Sequence, residues 1–337
     1  MTRISQITIC WVHLSVLAKS ANNMLKNREY AFLRGNNSSR IFVLLVTVLL
    51  FASSSWGQQK SEYGIRHSVV ISGPKTFEFN ENDEIVWEFD GRSKDISKLA
   101  NGNYLVTYRD QVIELDPSKK TVWSYTQLVN AEIMSAQRLT DGNTLVTELG
   151  EHPRLVEVDQ GSKVTAIIPI QPETDNIHMQ TRMGRKLSNG NYLVPHRIMP
   201  FAKEYDRRGN VVRTFRVDLP ELGGAAAKNG TFAAVRLDDG STVVTCASGN
   251  RMVIFDSNGK LVWHLSSEEL GGILNDVCGL QVLKSGNFVV SCYGNQAEDG
   301  LKLIEVTPDK KIVWTYQNQT VKYVHNLHVL STNGQPE

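Results

Sequence analysis

Cysteine is scarce in this sequence, and charge of either sign is nearly balanced. Four cysteines stand among 337 residues and no two are adjacent. Three of them, Cys246, Cys278 and Cys292, lie beyond the N-terminal segment, an odd number for an oxidising compartment. Cys278 and Cys292 flank one hairpin turn symmetrically, which leaves a cross-strand disulfide open; otherwise all three are small buried apolar residues. There is no basic cluster, so the phosphates of a nucleic acid find no matching face. No H-x-H or H-E-x-x-H spacing occurs, which removes the linear metal motifs, and no linear catalytic signature appears. Nor is any apolar run long enough to cross a bilayer comfortably, which takes roughly 17 to 25 residues.

The longest such run is Ile41–Ala52 (IFVLLVTVLLFA), preceded by Lys26, Arg28, Arg34 and Arg40 and followed by SSSWGQQ. A basic flank, a short apolar stretch and small residues at Ser55 and Gly57 read as a secretory signal cleaved near Gly57. The alternative is an uncleaved anchor. The flank is long for a signal, so Met24 is an alternative start, and no cysteine follows the run for lipid attachment. On this reading residues 1–57 are a signal region, residues 58–337 form one domain, and the mature protein is periplasmic or secreted. Residues 1–57 hold six Lys or Arg and one acidic residue, so the whole-chain totals of 36 and 35 become 30 and 34, a net charge of −4.

What the chain has in abundance is repetition. KLANGNYLVTY at Lys98 and KLSNGNYLVPH at Lys186 are nearly one phrase, and L-x-x-G-(N/S)-x-x-V returns as LTDGNTLV, LDDGSTVV and LKSGNFVV, with LSTNG near the C-terminus. The glycines are Gly102, Gly142, Gly190, Gly240, Gly286 and Gly334, spaced by 40, 48, 50, 46 and 48 residues. Each phrase is followed by a second half such as VIELDPSKKTVWSY or MVIFDSNGKLVWHL. Alternating apolar and polar residues rich in Val, Ile, Thr and aromatics argue strands. The Asn-Gly, Asp-Gly and D-x-x-x-K segments argue tight turns. Each unit therefore reads as four antiparallel strands, A to D, with the glycine turn between A and B and the Asp turn between C and D. Units of this period and content predict an all-β, six-bladed β-propeller.

The two ends complete the count. HSVVISGPKTFEFNENDEIVWEFDG, from His67, supplies strands B, C and D with no A before them, while YVHNLHVLSTNG, from Tyr323, is an A strand with nothing after it. Together they predict one shared blade that closes the ring and hides its edges.

The units GKLVWHL, KKTVWSY and KKIVWTY, with L-x-x-G-N-x-x-V and E-V-D, resemble blades of the quinoprotein-like propellers (the PQQ-like repeat) and of bacterial arylsulfotransferases. The resemblance runs over nearly all of Ser68 to Gly334. It implies that Trp87, Trp123, Trp263 and Trp314 pack between neighbouring blades, with Ala166 and Arg213 in that place elsewhere. Quinone-dependent dehydrogenases of this kind have eight blades and often a Cys-Cys pair beneath the cofactor. Here there are six blades and no such pair, so no cofactor is assigned. Arylsulfotransferases work through a histidine that no local motif maps onto this chain.

Function then rests on the loops. The AB and CD turns are short and stereotyped, whereas the BC and DA connections on the opposite face are long and varied, as in IPIQPETDNIHMQTR and YGNQAEDG. The sixth residue after the repeat glycine is Tyr108, Glu148, His196, Cys246 and Cys292 in successive units. Before His196 stands Pro195, which lacks a ladder donor and is expected to end pairing early and free His196 and Arg197 into the loop. The A-strand starts add Asp95, Glu132, His178, Gln180, Arg182, Asp276 and His325. Arg109, Arg182 and Arg197 suit a carboxylate, sulfate or sugar acid, unless Glu132, Glu148 or Asp276 neutralises them. Imidazole and carboxylate groups here could ligate a metal, but scattered ligands do not make a site and none is assigned. The expected site is therefore drawn from His178, Arg182, His196, Arg197, Glu132, Glu148, Arg109, Asp276 and His325, centred on the third unit. Two functions fit: a monomeric exported propeller binding a small anionic or carbohydrate-type ligand or a protein partner on its loop face, or a sulfotransferase-, lyase- or hydrolase-like enzyme using loop-face histidines.

Overall fold

The computed structural model describes residues 57–127 and 131–337. The apolar run at Ile41–Ala52 and the alternative start at Met24 lie outside these residues. Among those described, no helix is long and apolar enough to cross a membrane.

The chain forms six four-stranded antiparallel blades in a ring, each strand hydrogen-bonded to the next in sequence order. Blade 1 holds Asp95–Lys98, Tyr104–Thr107, Gln111–Leu115 and Thr121–Thr126. Blade 2 runs from Glu132 to Pro169, blade 3 from Arg185 to Arg216, blade 4 from Thr231 to Ser266 and blade 5 from Val277 to Asn318. Blade 6 is the shared one: Asn326–Thr332 as strand A pairs with His67–Ser72 as strand B, followed by Thr76–Phe79 and Ile85–Phe89. All six repeat glycines sit at positive φ, between 77° and 88°, which is the backbone state the AB turn requires and glycine adopts without strain. In the CD turn a side-chain oxygen of Asn80, Asp116, Asp159, Asp206, Asp256 or Thr307 accepts the N–H of the fourth residue on.

The core is divided. Each hydrophobic cluster fills one interface between neighbouring blades: Leu105, Trp123 and Tyr125 of blade 1 meet Ile133, Val146 and Val156 of blade 2, for example, and the same holds around the ring. The tryptophans occupy the place the resemblance implied. Trp87 stacks on Tyr104 of the next blade at 3.7 Å, and the indole N–H groups of Trp123 and Trp263 donate to the backbone oxygens of Asp159 and Pro308 in the next blade's CD turn. Arg213 substitutes for the indole by donating to Ser257 O at 2.6 Å.

A second device crosses the same interfaces. A buried glutamate on strand C faces a cation on strand A of the following blade: Glu78 with Lys98, Glu114 with Arg138, Glu157 with Lys186 and Glu204 with Arg236, at 2.5 to 2.7 Å. Glu305 instead meets His67 at 2.8 Å. Between blades 4 and 5 Ile254 replaces the glutamate, Val282 replaces the cation, and the two pack into one apolar cluster. Ser241 there stands where Asn103, Asn191 and Asn287 bond the glutamate in other blades.

The sequence did not signal the short strand Gly57–Lys60, which pairs with the outer strand of blade 5. Gln59 from it accepts from the indole N–H of Trp314 and the backbone N–H of His67, tying blade 5 to blade 6.

Two expectations follow. Truncation after Lys322 removes strand A of the shared blade, so the cooperative thermal transition should be lost altogether; a truncated chain that melts cooperatively within a few degrees of the intact one would contradict closure by the termini. Glu204→Ile should destabilise by up to about 3 kcal/mol, because it leaves the half-buried Arg236 without its partner, and Arg236→Val should restore most of that loss by recreating the Ile254–Val282 arrangement. Denaturant melts of the two single variants and the double variant measure the coupling.

Candidate functional site

The inner A strands converge at the axis, and their starts bring Lys94, Arg182, Phe232, Cys278 and His325 close to one another. Contacts between blades that are not neighbours establish the convergence. The rings of Phe232 in blade 4 and His325 in blade 6 lie 6.2 Å apart, and Arg197 of blade 3 reaches Asp276, beside blade 5, at 3.2 Å. Asp95, next to Lys94, binds Asn326, the backbone N–H of Ala136 and Arg185, which belong to blades 6, 2 and 3. Strands A of blades 5 and 6 approach so closely that a Cβ on Gly279 would lie 2.7 Å from Asn326 Cα, which only glycine avoids.

Around this ring the cations outnumber the carboxylates. Glu132 is buried and accepts from His178 Nδ1 at 2.7 Å, with Arg109 at 3.5 Å and Lys94 at 3.9 Å. Burial works to raise its carboxyl, but the His178 hydrogen bond and the charges of His178, Lys94 and Arg109 outweigh burial and hold it below the usual carboxylate range. The His178 side chain, on the short 3-10 turn Ile177–Met179, is about half exposed, at 51%. Arg197 is shared between Asp276 and the Ser248 hydroxyl. Arg182 has no carboxylate partner: it donates to the backbone oxygens of His178 and Thr181, and its Nε has no acceptor. Burial first, and then the repulsion of Arg197, bring its guanidinium down to about 10. Burial is also the largest influence on Lys94; Arg92, Arg182 and Arg109 push the ammonium further down against the pull of Glu132.

One wall is aromatic. His325 meets Tyr293 at 5.0 Å and Tyr323 at 5.4 Å, both nearly edge-on, and Arg92 lies over Tyr323. Arg182 and Arg197 both lie over Phe232. His325 is 7% exposed, and neither ring nitrogen has a hydrogen-bond partner. Burial, then Lys94, Arg182, Arg92 and His178, push its imidazole down to about 3 and keep it neutral.

Of the residues expected from the sequence, His178, Glu132, Arg182, Arg197, Arg109, Asp276 and His325 come together here. Two do not. Pro195 does not open the sheet: its carbonyl accepts from Arg182 N–H, Thr181 bridges His196, and the His196 N–H donates to Phe201. His196 is consequently fully buried inside blade 3, bonded through Nε2 to the Tyr205 hydroxyl at 3.0 Å. A missing N–H ends a ladder only where that N–H would have been used, and the carbonyl side of the proline continues the pairing. Glu148 is also internal, held by Arg154 and the Tyr125 hydroxyl. Cys278 and Cys292 form no disulfide; all three cysteines are free and buried, and burial raises the Cys278 thiol well above its ordinary value. Among the described residues no cluster of three His, Cys, Asp or Glu side chains is arranged to hold a metal.

Sequence reasoning missed Arg92, Lys94, Phe232, Tyr293 and Tyr323. The signal lay eight residues before the repeat glycine, where Lys94, Met134, Arg182, Phe232 and Cys278 occupy one register; the residue six after it, compared instead, lies within the sheet.

No family model matches the chain, and no curated protein matches it in sequence. Solved structures do. A protein of unknown function from Bacteroides caccae superposes with a TM-score of 0.68 at 20% identity, over 78% of this chain and 98% of that one. Virginiamycin B lyase from Staphylococcus aureus gives 0.53 at 11% identity, over 77% of this chain and 87% of its own. Hydrazine synthase from Kuenenia stuttgartiensis gives 0.51 at 13%, over 71% and 76%. Identities this low establish likeness of fold alone.

Two buried histidines contribute to the acid behaviour, beside His328, which burial also pushes down, and the depressed carboxyls of Glu132 and Glu204. In the unfolded chain His196 and His325 bind protons near pH 6.5, whereas in the fold both are held near 3. The unfolded state therefore takes up more protons between those values, so stability present at pH 7 is lost as pH falls, by up to about 1.4 kcal/mol per pH unit for each histidine. Calorimetric midpoints between pH 7 and pH 4 should fall less steeply for His325→Phe than for the unchanged protein; equal slopes would show that His325 is already protonated in the fold.

Proposed function

We propose that this protein is an exported propeller that binds a small oxyanion-bearing ligand at the axis of its loop face. The observation that carries the reading is the unneutralised Arg182, almost wholly buried, with an Nε lacking an acceptor and with Lys94, Arg92 and Arg197 around it. A buried cation surplus is costly unless an anion completes it. Arg109 and Arg197 are already partnered, which makes them adjustable rim groups, and the aromatic wall supplies apolar surface for the rest of the ligand. Export rests on the Ile41–Ala52 run with its basic flank.

A second reading is favoured by one feature, the His178–Glu132 pair. A half-exposed imidazole oriented by a buried carboxylate is the arrangement of a general acid or base. Two neighbours of similar fold are named as enzymes, a lyase and a synthase. A lyase-, hydrolase- or sulfotransferase-like reaction would use His178 for proton transfer beside an anion held by Arg182.

Sulfate titrated by calorimetry into the mature protein should bind, and Arg182→Gln should weaken it by about tenfold or more, the worth of one charge-assisted hydrogen bond. Sulfate affinity equal in both proteins would remove the anion site from Arg182. His178→Ala should leave sulfate affinity within about twofold, because only the second reading gives it a chemical role.

A further inference from the structure

We propose that the ligand of this site is a polyhydroxylated carboxylic acid, a sugar acid in chemical class, whose hydroxyls are read by His325. The inference rests on the anion-binding reading and narrows it. Both ring nitrogens of His325 are buried without a partner, while the Arg182 Nε close by is also without one. Three orphaned polar atoms in one place, on side chains more than nine-tenths buried, mark where a ligand's polar groups belong.

The chemistry of the two side chains differs. Arg182 offers only donors and asks for an oxyanion. A neutral imidazole has one N–H and one lone pair, so a bare oxyanion satisfies half of it and faces the lone pair with like charge. A hydroxyl group can accept from the N–H or donate to the lone pair, so two hydroxyls of one ligand, one at each ring edge, satisfy both nitrogens. The groups facing His325 keep it neutral from every side: Lys94 of blade 1, Arg182 and His178 of blade 3, Arg92 after blade 6, and the rings of Phe232, Tyr293 and Tyr323. A carboxylate on the cations and two hydroxyls on His325 use both parts, and ring contacts suit the C–H face of a sugar.

Calorimetry with three probes, D-glucuronate, D-glucose and acetate, tests this. Glucuronate should bind about tenfold or more tighter than acetate, the worth of roughly two neutral hydrogen bonds, with glucose weakest. His325→Phe, which keeps the ring and removes both nitrogens, should reduce the glucuronate preference to within about twofold and leave acetate affinity unchanged. His325→Gln, which retains a donor and an acceptor, should keep most of the preference, and serves if the phenylalanine variant does not fold. Equal affinity for glucuronate and acetate, or a preference that survives in both His325 variants, overturns the hydroxy-acid inference while acetate and sulfate binding leave the anion site standing. Failure of every anion to bind overturns the anion site itself.

Discussion

Every blade of this protein depends on the one beside it, and the contact that enforces the dependence is a buried strand-C side chain facing strand A of the next blade. A single four-stranded sheet cannot bury both of its faces. The hydrophobic clusters therefore form between blades and never within one. The glutamate–cation pairs add direction to what apolar packing leaves free: a carboxylate on strand C that must meet a cation on the next strand A sets one register between blades. The one interface that uses Ile254 and Val282 instead shows that charge is not required for the packing. Its glutamate, its cation and its turn asparagine are all absent together, as they must be if a lone buried charge is worse than none.

Closure follows from the same contact. A ring in which each blade needs a successor has no stable end, so the last blade must meet the first. The chain does this twice. Strand A of blade 6 comes from the C-terminus and strands B to D from the N-terminal side, and Gln59 then joins Trp314 of blade 5 to the backbone of His67 in blade 6. The second fastening has no repeat signature, since Gly57–Lys60 has no counterpart in any other blade.

Legibility in the sequence divides along this line. Glycine spacing, turn chemistry and strand alternation are dictated by local backbone geometry, which the sequence records residue by residue, and so blade number and closure could be read directly. The site depends on which residues the ring brings to its axis, and that is a property of six strand ends taken together. His325 and Arg182 were recognisable as polar residues at strand starts. Lys94 and Phe232 emerge only when the residue eight before each repeat glycine is compared across the units, and what they do there depends on neighbours two blades away. His196 misled for the opposite reason: Pro195 is a local rule-breaker, and its effect depended on which side of strand B carried the hydrogen bonds, a matter of register rather than of composition.

The axis is also where the molecule departs from the rule it follows elsewhere. At four interfaces the buried glutamate has a lysine or arginine within about 3 Å, and at a fifth Glu305 is hydrogen-bonded to His67. At the channel mouth Arg182 has no carboxylate, Lys94 shares Glu132 with Arg109 and His178, and His325 is left with both nitrogens unused. The structure tolerates this because rigid groups hold the mouth from below: the Asp95 network joins four blades there, and Gly279 lets two inner strands touch. Lys302 in blade 5 is likewise buried without a carboxylate, but its ammonium is met by the backbone oxygens of Asn295, Ala297 and Lys322, whereas the Arg182 Nε is left with no acceptor. These unmatched groups stand on strand ends beside aromatic faces, and this local departure from the polar satisfaction of the interfaces is the ground on which the proposed anion site rests.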